Sequence, residues 1–171
     1  QTGIATVRAA VNEKKKLFEY QKDFFQSALE KASSQSTEAY IFGDIDDLSL
    51  THKFLDLLLK HRLDVYEVGS DIQQAGTQFE AGSSYMVPTD QIHYRVVHDI
   101  FEANTSFPDR VFYDITGWSL VHGYGIQYEE MESDRFRKFQ GNQISELPGR
   151  NGTVKGGLSD YAYLLKWSDY N

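Results

Sequence analysis

Residues 39–68 change hydrophobic rhythm twice within about thirty positions, and that double change constrains the fold more than any other stretch. The run AYIFG at 39–43 is short and almost wholly apolar, the pattern of a strand covered on both faces. Asp44, Asp46 and Asp47 make the turn that follows. Residues 48–62 then repeat Leu50, Phe54 and Leu58 at a spacing of four, with apolar neighbours, as a buried helix does. VYEV at 65–68 returns to a strand. Strand, helix and strand in so short a span predict a βαβ unit with parallel strands.

The alternation continues downstream. Residues 69–82 form an irregular connection with room for short strands, and SYMV at 84–87 is a third strand stopped by Pro88. Thr89 or Asp90 suits the N-cap of a helix that buries Ile92, Val96, Val97, Ile100 and Phe101. Residues 114–121 suit a short helix and 126–131 a strand. Asn151-Gly152 marks a tight turn within 141–157, and LSDYAYLLKW at 158–167 reads as a last strand. The class expected is α/β, with an open, mostly parallel sheet rather than an α+β arrangement.

A long helix comes first. Over residues 4–32, Val7, Val11, Phe18, Phe25 and Leu29 fall near one stripe that Leu17 and Phe24 widen. Lys14, Lys15 and Lys16 interrupt it with a solvated face. The polar linker SSQST at 33–37 separates this helix from the rest. Residues 1–33 are therefore expected to be a helical connector from a preceding domain, and 38–171 the α/β domain. A start at Gln1 inside a helix, and a stop just after the last strand, lead to the expectation of a segment cut from a longer polypeptide, truncated at its C-terminal end.

Composition narrows function mainly by exclusion. A formal net charge of −8 disfavours nucleic acid, whose counterions are displaced by clustered Lys and Arg, and disfavours anionic membrane surfaces. With no cysteine, the chain has no disulfide, thiolate metal site or cysteine nucleophile. No apolar run approaches the ~18 residues of a membrane span, so no membrane insertion is expected.

Two groups of side chains are candidates for binding. Asp44, Asp46 and Asp47 lie where the first strand meets its helix, a place where α/β folds gather ligands and where carboxylates can hold Mg²⁺. The same aspartates also suit a helix cap and its dipole. Within the aromatic-rich stretch 83–126, Tyr113 stands beside Asp114, Trp118 and His122, which share a face at helical spacing and could line a pocket. A packed corner is the other reading of that group. His98 and Glu102, at i and i+4, read as a polar pair on a helix surface. No G-x-S-x-G elbow or phosphate loop is present, so no catalytic residue is assigned.

Three passages carry a resemblance: SSYMVPTDQIHYRVVHDIFE from Ser83, FPDRVFYDITGWSLVHGYGI from Phe107 and GGLSDYAYLLKW from Gly156. They resemble the region downstream of the catalytic domain in bacterial zinc carboxypeptidase-like proteins of the M14 metallopeptidase family. There the peptidase domain is followed by a module similar to class I glutamine amidotransferases, with a flavodoxin-like, doubly wound fold. The resemblance covers residues 38–171. It implies an accessory segment, since the chain has neither the His-x-x-Glu pair of the peptidase zinc site nor the amidotransferase cysteine. It further implies a hydrolase whose zinc lies in the preceding peptidase domain of the same chain, and a periplasmic or secreted protein.

The function expected is thus a noncatalytic accessory or ligand-binding domain of a carboxypeptidase-like protein. Two alternatives stand beside it. One is a Mg²⁺-binding enzyme or sensor using Asp44, Asp46 and Asp47. The other is an interaction module docking through the N-terminal helix, including as a homo-oligomer.

Overall fold

A computed structural model describes residues 2–103, 120–149 and 159–162. Strand β1 (Ala39–Gly43), helix α3 (Leu48–Lys60) and strand β2 (Val65–Val68) form where the hydrophobic rhythm places them. Before them come α1 (Thr2–Asn12) and α2 (Lys14–Ser33). After them a hairpin of β3 (Ile72–Gln74) and β4 (Thr77–Phe79) leads to β5 (Ser84–Pro88) and α4 (Tyr94–Phe101). The elements that follow are α5 (Leu120–Tyr124), β6 (Tyr128–Met131), a 3₁₀ turn (Asp134–Lys138) and β7 (Gln140–Ile144).

The sheet corrects the parallel, flavodoxin-like expectation. Its five strands lie in the order β6-β1-β5-β2-β7, and every neighbouring pair is antiparallel. Strands β1 and β2 do run the same way, as the helical crossover requires, but β5 lies between them and pairs with both. This is a split βαβ arrangement within a mixed α/β fold. A crossover fixes the direction of the returning strand and leaves its neighbour open. The β3–β4 hairpin reverses the chain and delivers β5 into the gap.

Burial explains why the strands looked parallel. All five residues of β1 and all five of β5 are buried, so neither shows the half-polar alternation of an ordinary antiparallel strand. Tyr40, Phe42, Tyr85, Val87 and Val65 pack on α3 and α4 through Phe54, Leu55, Leu58, Val97 and Phe101. On the other face, Ala39, Ile41 and Met86 meet Ile72 and Phe79 of the hairpin and Phe136 of the 3₁₀ turn. Each fully buried side chain of this kind contributes about 1.5–3 kcal/mol.

The helix ends follow local chemistry. Asp47 caps α3, its carboxylate accepting from the Leu50 N–H at 2.9 Å. At the other end Arg62 takes a left-handed φ of 58°, Leu63 N–H bonds to Leu58 C=O and Arg62 N–H to Leu59 C=O. That is a Schellman closure with arginine in the place glycine usually takes. The expected cap of α4 does not form. Thr89 Oγ1 instead donates to the carbonyls of Thr37 and Glu38, and Asp90 pairs with Arg137 at 2.8 Å. Ile92, expected in the core, is exposed.

At the N-terminus, backbone bonds from Glu13 to Ala9 and from Leu17 to Glu13 carry the helical path across the junction between α1 and α2. Ala28 and Ala32 are buried against Tyr94 of α4. Phe25 meets His93 edge-on, with ring centroids 6.0 Å apart. Arg95 secures the contact by donating to the Phe24 carbonyl and to Ser27 Oγ. No residue of α1 is buried. Among the described residues, no helix is long and apolar enough to cross a membrane.

Candidate functional site

Helix α4 carries Tyr94, His98 and Glu102 at intervals of four, so all three share one face at the helix and its C-cap. That face looks toward the edge of the sheet where β1 pairs with β6. In the register of that pair Tyr40 stands directly opposite Glu130. The two elements and the 34–38 linker flank an open-mouthed cavity of about 230 Å³, lined by Tyr40, Tyr94, Thr89, His98, Glu102 and Glu130 among others.

The walls and the mouth differ in character. Tyr40 is 4% exposed and Tyr94 5%. The Tyr40 ring stacks on Phe101 at 4.6 Å between centroids, nearly parallel. Neither phenol has a side-chain hydrogen bond among the described residues. Burial pushes the Tyr40 phenol well above its ordinary range, and the charge of Glu130 pushes it further. Burial and then Glu102 raise Tyr94, against a smaller lowering by Arg95. Both phenols therefore stay protonated at neutral pH. At the mouth, His98 Nδ1 and Glu102 Oε2 are 3.2 Å apart, and Thr37 Oγ1 donates to Glu130 Oε2 at 2.8 Å.

This arrangement suits binding rather than covalent chemistry. The Thr89 hydroxyl is committed to backbone carbonyls and the Thr37 hydroxyl to Glu130, so neither threonine is set up as a nucleophile. Among the described residues, His98, Asp99 and Glu102 are the His/Asp/Glu group with ligand atoms all within 4.8 Å of one another. That group could hold a metal ion. A second hollow, of about 310 Å³, lies beside the β3–β4 turn and mixes Glu132 with Arg135. Its charges are of both signs and do not converge on one ligand type.

Compared with known proteins, the chain matches no family model, no curated protein and no solved structure.

The candidates named from sequence fall elsewhere. Asp47 caps α3, and Asp44 Oδ1 accepts from the Asp46 N–H at 2.9 Å. Thr51 Oγ1 donates to the Asp47 carbonyl and accepts from the Asp44 N–H. These bonds shape a capped turn. His122 is exposed on α5, with Nε2 3.3 Å from Tyr128 Oη. Tyr113, Asp114 and Trp118 lie outside the described residues, as do most of the expected last strand and the Asn151-Gly152 turn. The His98–Glu102 pair forms as its spacing suggests, but at the mouth of a cavity. The remaining cavity residues had no signal in sequence, because Tyr40 and Glu130 meet only through strand register.

Proposed function

We propose that this chain is a noncatalytic accessory domain of a zinc carboxypeptidase-like protein, and that it packs against the peptidase domain through its N-terminal helices. One observation carries the docking part. Ile4, Val11, Phe18, Phe25 and Ala32 recur every seven residues, and such a repeat drifts only about 20° per heptad on a straight helix. The C-terminal end of that stripe is already an interface, where Phe25 and Ala32 meet α4. Its other end is bare: Ile4, Val7 and Val11 are each more than 60% exposed and Phe18 is 69% exposed.

A stripe half used by one packed contact is continuous with a second surface of the same kind, and contiguous exposed apolar residues mark interaction sites. The carboxypeptidase part rests on the three sequence passages. The antiparallel sheet withdraws the flavodoxin-like element of that resemblance and leaves the passages themselves. On this reading zinc and proteolysis belong to the peptidase domain, and the protein acts in the periplasm or outside the cell.

The reading is tested by titrating the peptidase domain of the parent polypeptide into this chain and into its Val11→Asp and Phe18→Asp variants. Exposed substitutions should leave the fold within about 0.5 kcal/mol, whereas each lost apolar contact should weaken docking tenfold or more. A parent sequence without a His-x-x-Glu zinc pair would overturn the carboxypeptidase reading. A concentration-dependent dimer abolished by the same substitutions would assign the stripe to a second copy instead.

A further inference from the structure

We infer that the cavity between α4 and the β1–β6 edge binds the ammonium group of a protonated alkyl amine, of which a lysine side chain is the simplest example. The inference stands apart from the docking role, since the cavity and the bare stripe share no residue.

Two observations converge on it. The first is the pair of buried phenols. Tyr40 and Tyr94 line the cavity, are each at least nine-tenths buried, and have no side-chain hydrogen bond among the described residues. A buried hydroxyl left without a partner costs about 1–3 kcal/mol, so such groups normally meet a water or a ligand. The second is the sign of the charge around them. Glu130 makes no ion pair among the described residues, and the only side-chain donor to its carboxylate there is the neutral Thr37 hydroxyl. Glu102 adds its charge beside His98, and the C-terminal end of α4 points its carbonyl dipoles the same way. Among the described residues, no lysine or arginine lines the cavity.

An ammonium group matches this set. It has three N–H donors and no acceptor. Glu130 and Tyr40, directly opposite in the strand register, bring a carboxylate and a phenol to the same cavity. Size argues for an organic cation over a bare metal ion. A cavity of about 230 Å³ equals roughly eight waters at ~30 Å³ each, room for an alkyl chain as well as its charged head. A metal on His98, Asp99 and Glu102 would leave both phenols unsatisfied.

The test is a titration of the ¹⁵N-labelled chain with Nα-acetyl-lysine methylamide, beside its neutral norleucine isostere and zinc chloride. Saturable amide shifts at Tyr40, Tyr94 and Glu130 are expected with the lysine probe and not with norleucine. Glu130→Gln should weaken binding about tenfold or more, and Tyr40→Phe about three- to tenfold, as befits a charged and a neutral hydrogen bond. Tyr40→Phe keeps the ring on Phe101 and so decides the matter if Glu130→Gln does not fold. Equal response to the two probes, or no saturable shift with lysine, would overturn the inference. So would zinc binding at His98 that leaves the tyrosines unmoved while the lysine probe fails to bind.

Discussion

The guanidinium of Arg95 lies 4.3 Å above the Phe24 ring and donates to the backbone carbonyl of that same residue. One side chain of α4 thus holds both the face and the backbone of α2. Its second nitrogen reaches Ser27 Oγ at 3.0 Å. A charge-assisted hydrogen bond contributes about 1.5–3 kcal/mol and a cation–π contact about 0.5–1 kcal/mol at an exposed site. Arg95→Ala is expected to loosen α2 from the domain while sparing the sheet. Amide exchange should quicken about tenfold or more across residues 24–32 and stay unchanged in β1 and β5. Equal protection in variant and parent would show that Ala28 and Ala32 suffice.

Gly43 closes β1 where the chain passes β5 too tightly for a side chain. A Cβ there would sit 2.6 Å from the Ser83 carbonyl oxygen and 2.7 Å from Ser84 Cα, both backbone, with φ at +152°. Gly43→Ala should cost about 1–3 kcal/mol by overpacking. Urea denaturation would register the loss, and a variant of unchanged midpoint would contradict the close approach.

Asp47→Ala removes the carboxylate that holds the Leu50 N–H, at a cost of about 0.5–2 kcal/mol. The melting temperature should fall by a few degrees, roughly 2–4 °C per kcal/mol for a chain of this size. Added Mg²⁺ should leave the parent's melting temperature where it is, because Asp44 and Asp47 already serve the turn. A Mg²⁺-dependent rise abolished by Asp44→Ala would favour a metal site there.

Alkaline pH probes the buried phenols. In the folded state Tyr40 holds its proton well above the ordinary value of 10.0, through burial first and then Glu130, Tyr94, Glu102 and Tyr128. Tyr85, Tyr94 and Tyr128 are raised in the same direction, each by burial first. The unfolded chain releases these protons near pH 10 while the folded chain keeps them. Stability is therefore complete below that pH and lost as pH climbs through the folded values. Tyr40→Phe should fall less steeply above pH 10 in chemical denaturation. Parallel decline of variant and parent would place the alkaline sensitivity elsewhere.

Much of the element order was legible because period reports which faces are covered. AYIFG, the Leu50–Phe54–Leu58 stripe and SYMV each announced their own state. Partner choice was not legible, since β1 and β5 are covered on both faces and read like parallel strands. Strand β7 was hidden for the opposite reason: QGNQI has one apolar residue, Ile144, and pairs at the edge of the sheet with β2. The Thr89 and Asp90 caps failed because the linker carbonyls and Arg137 compete for those side chains. The cavity stayed invisible because Tyr40 and Glu130, far apart in sequence, become neighbours only when β6 settles against β1.

Amide hydrogen exchange over residues 4–18 tests the central claim most directly, measured in this chain alone and in the longer, peptidase-containing polypeptide that the proposal calls for. Docking through the bare stripe predicts that protection around Ile4, Val7, Val11 and Phe18 rises at least a hundredfold in the parent, equivalent to about 2.7 kcal/mol or more. Equal exchange in both would contradict a peptidase partner on this surface.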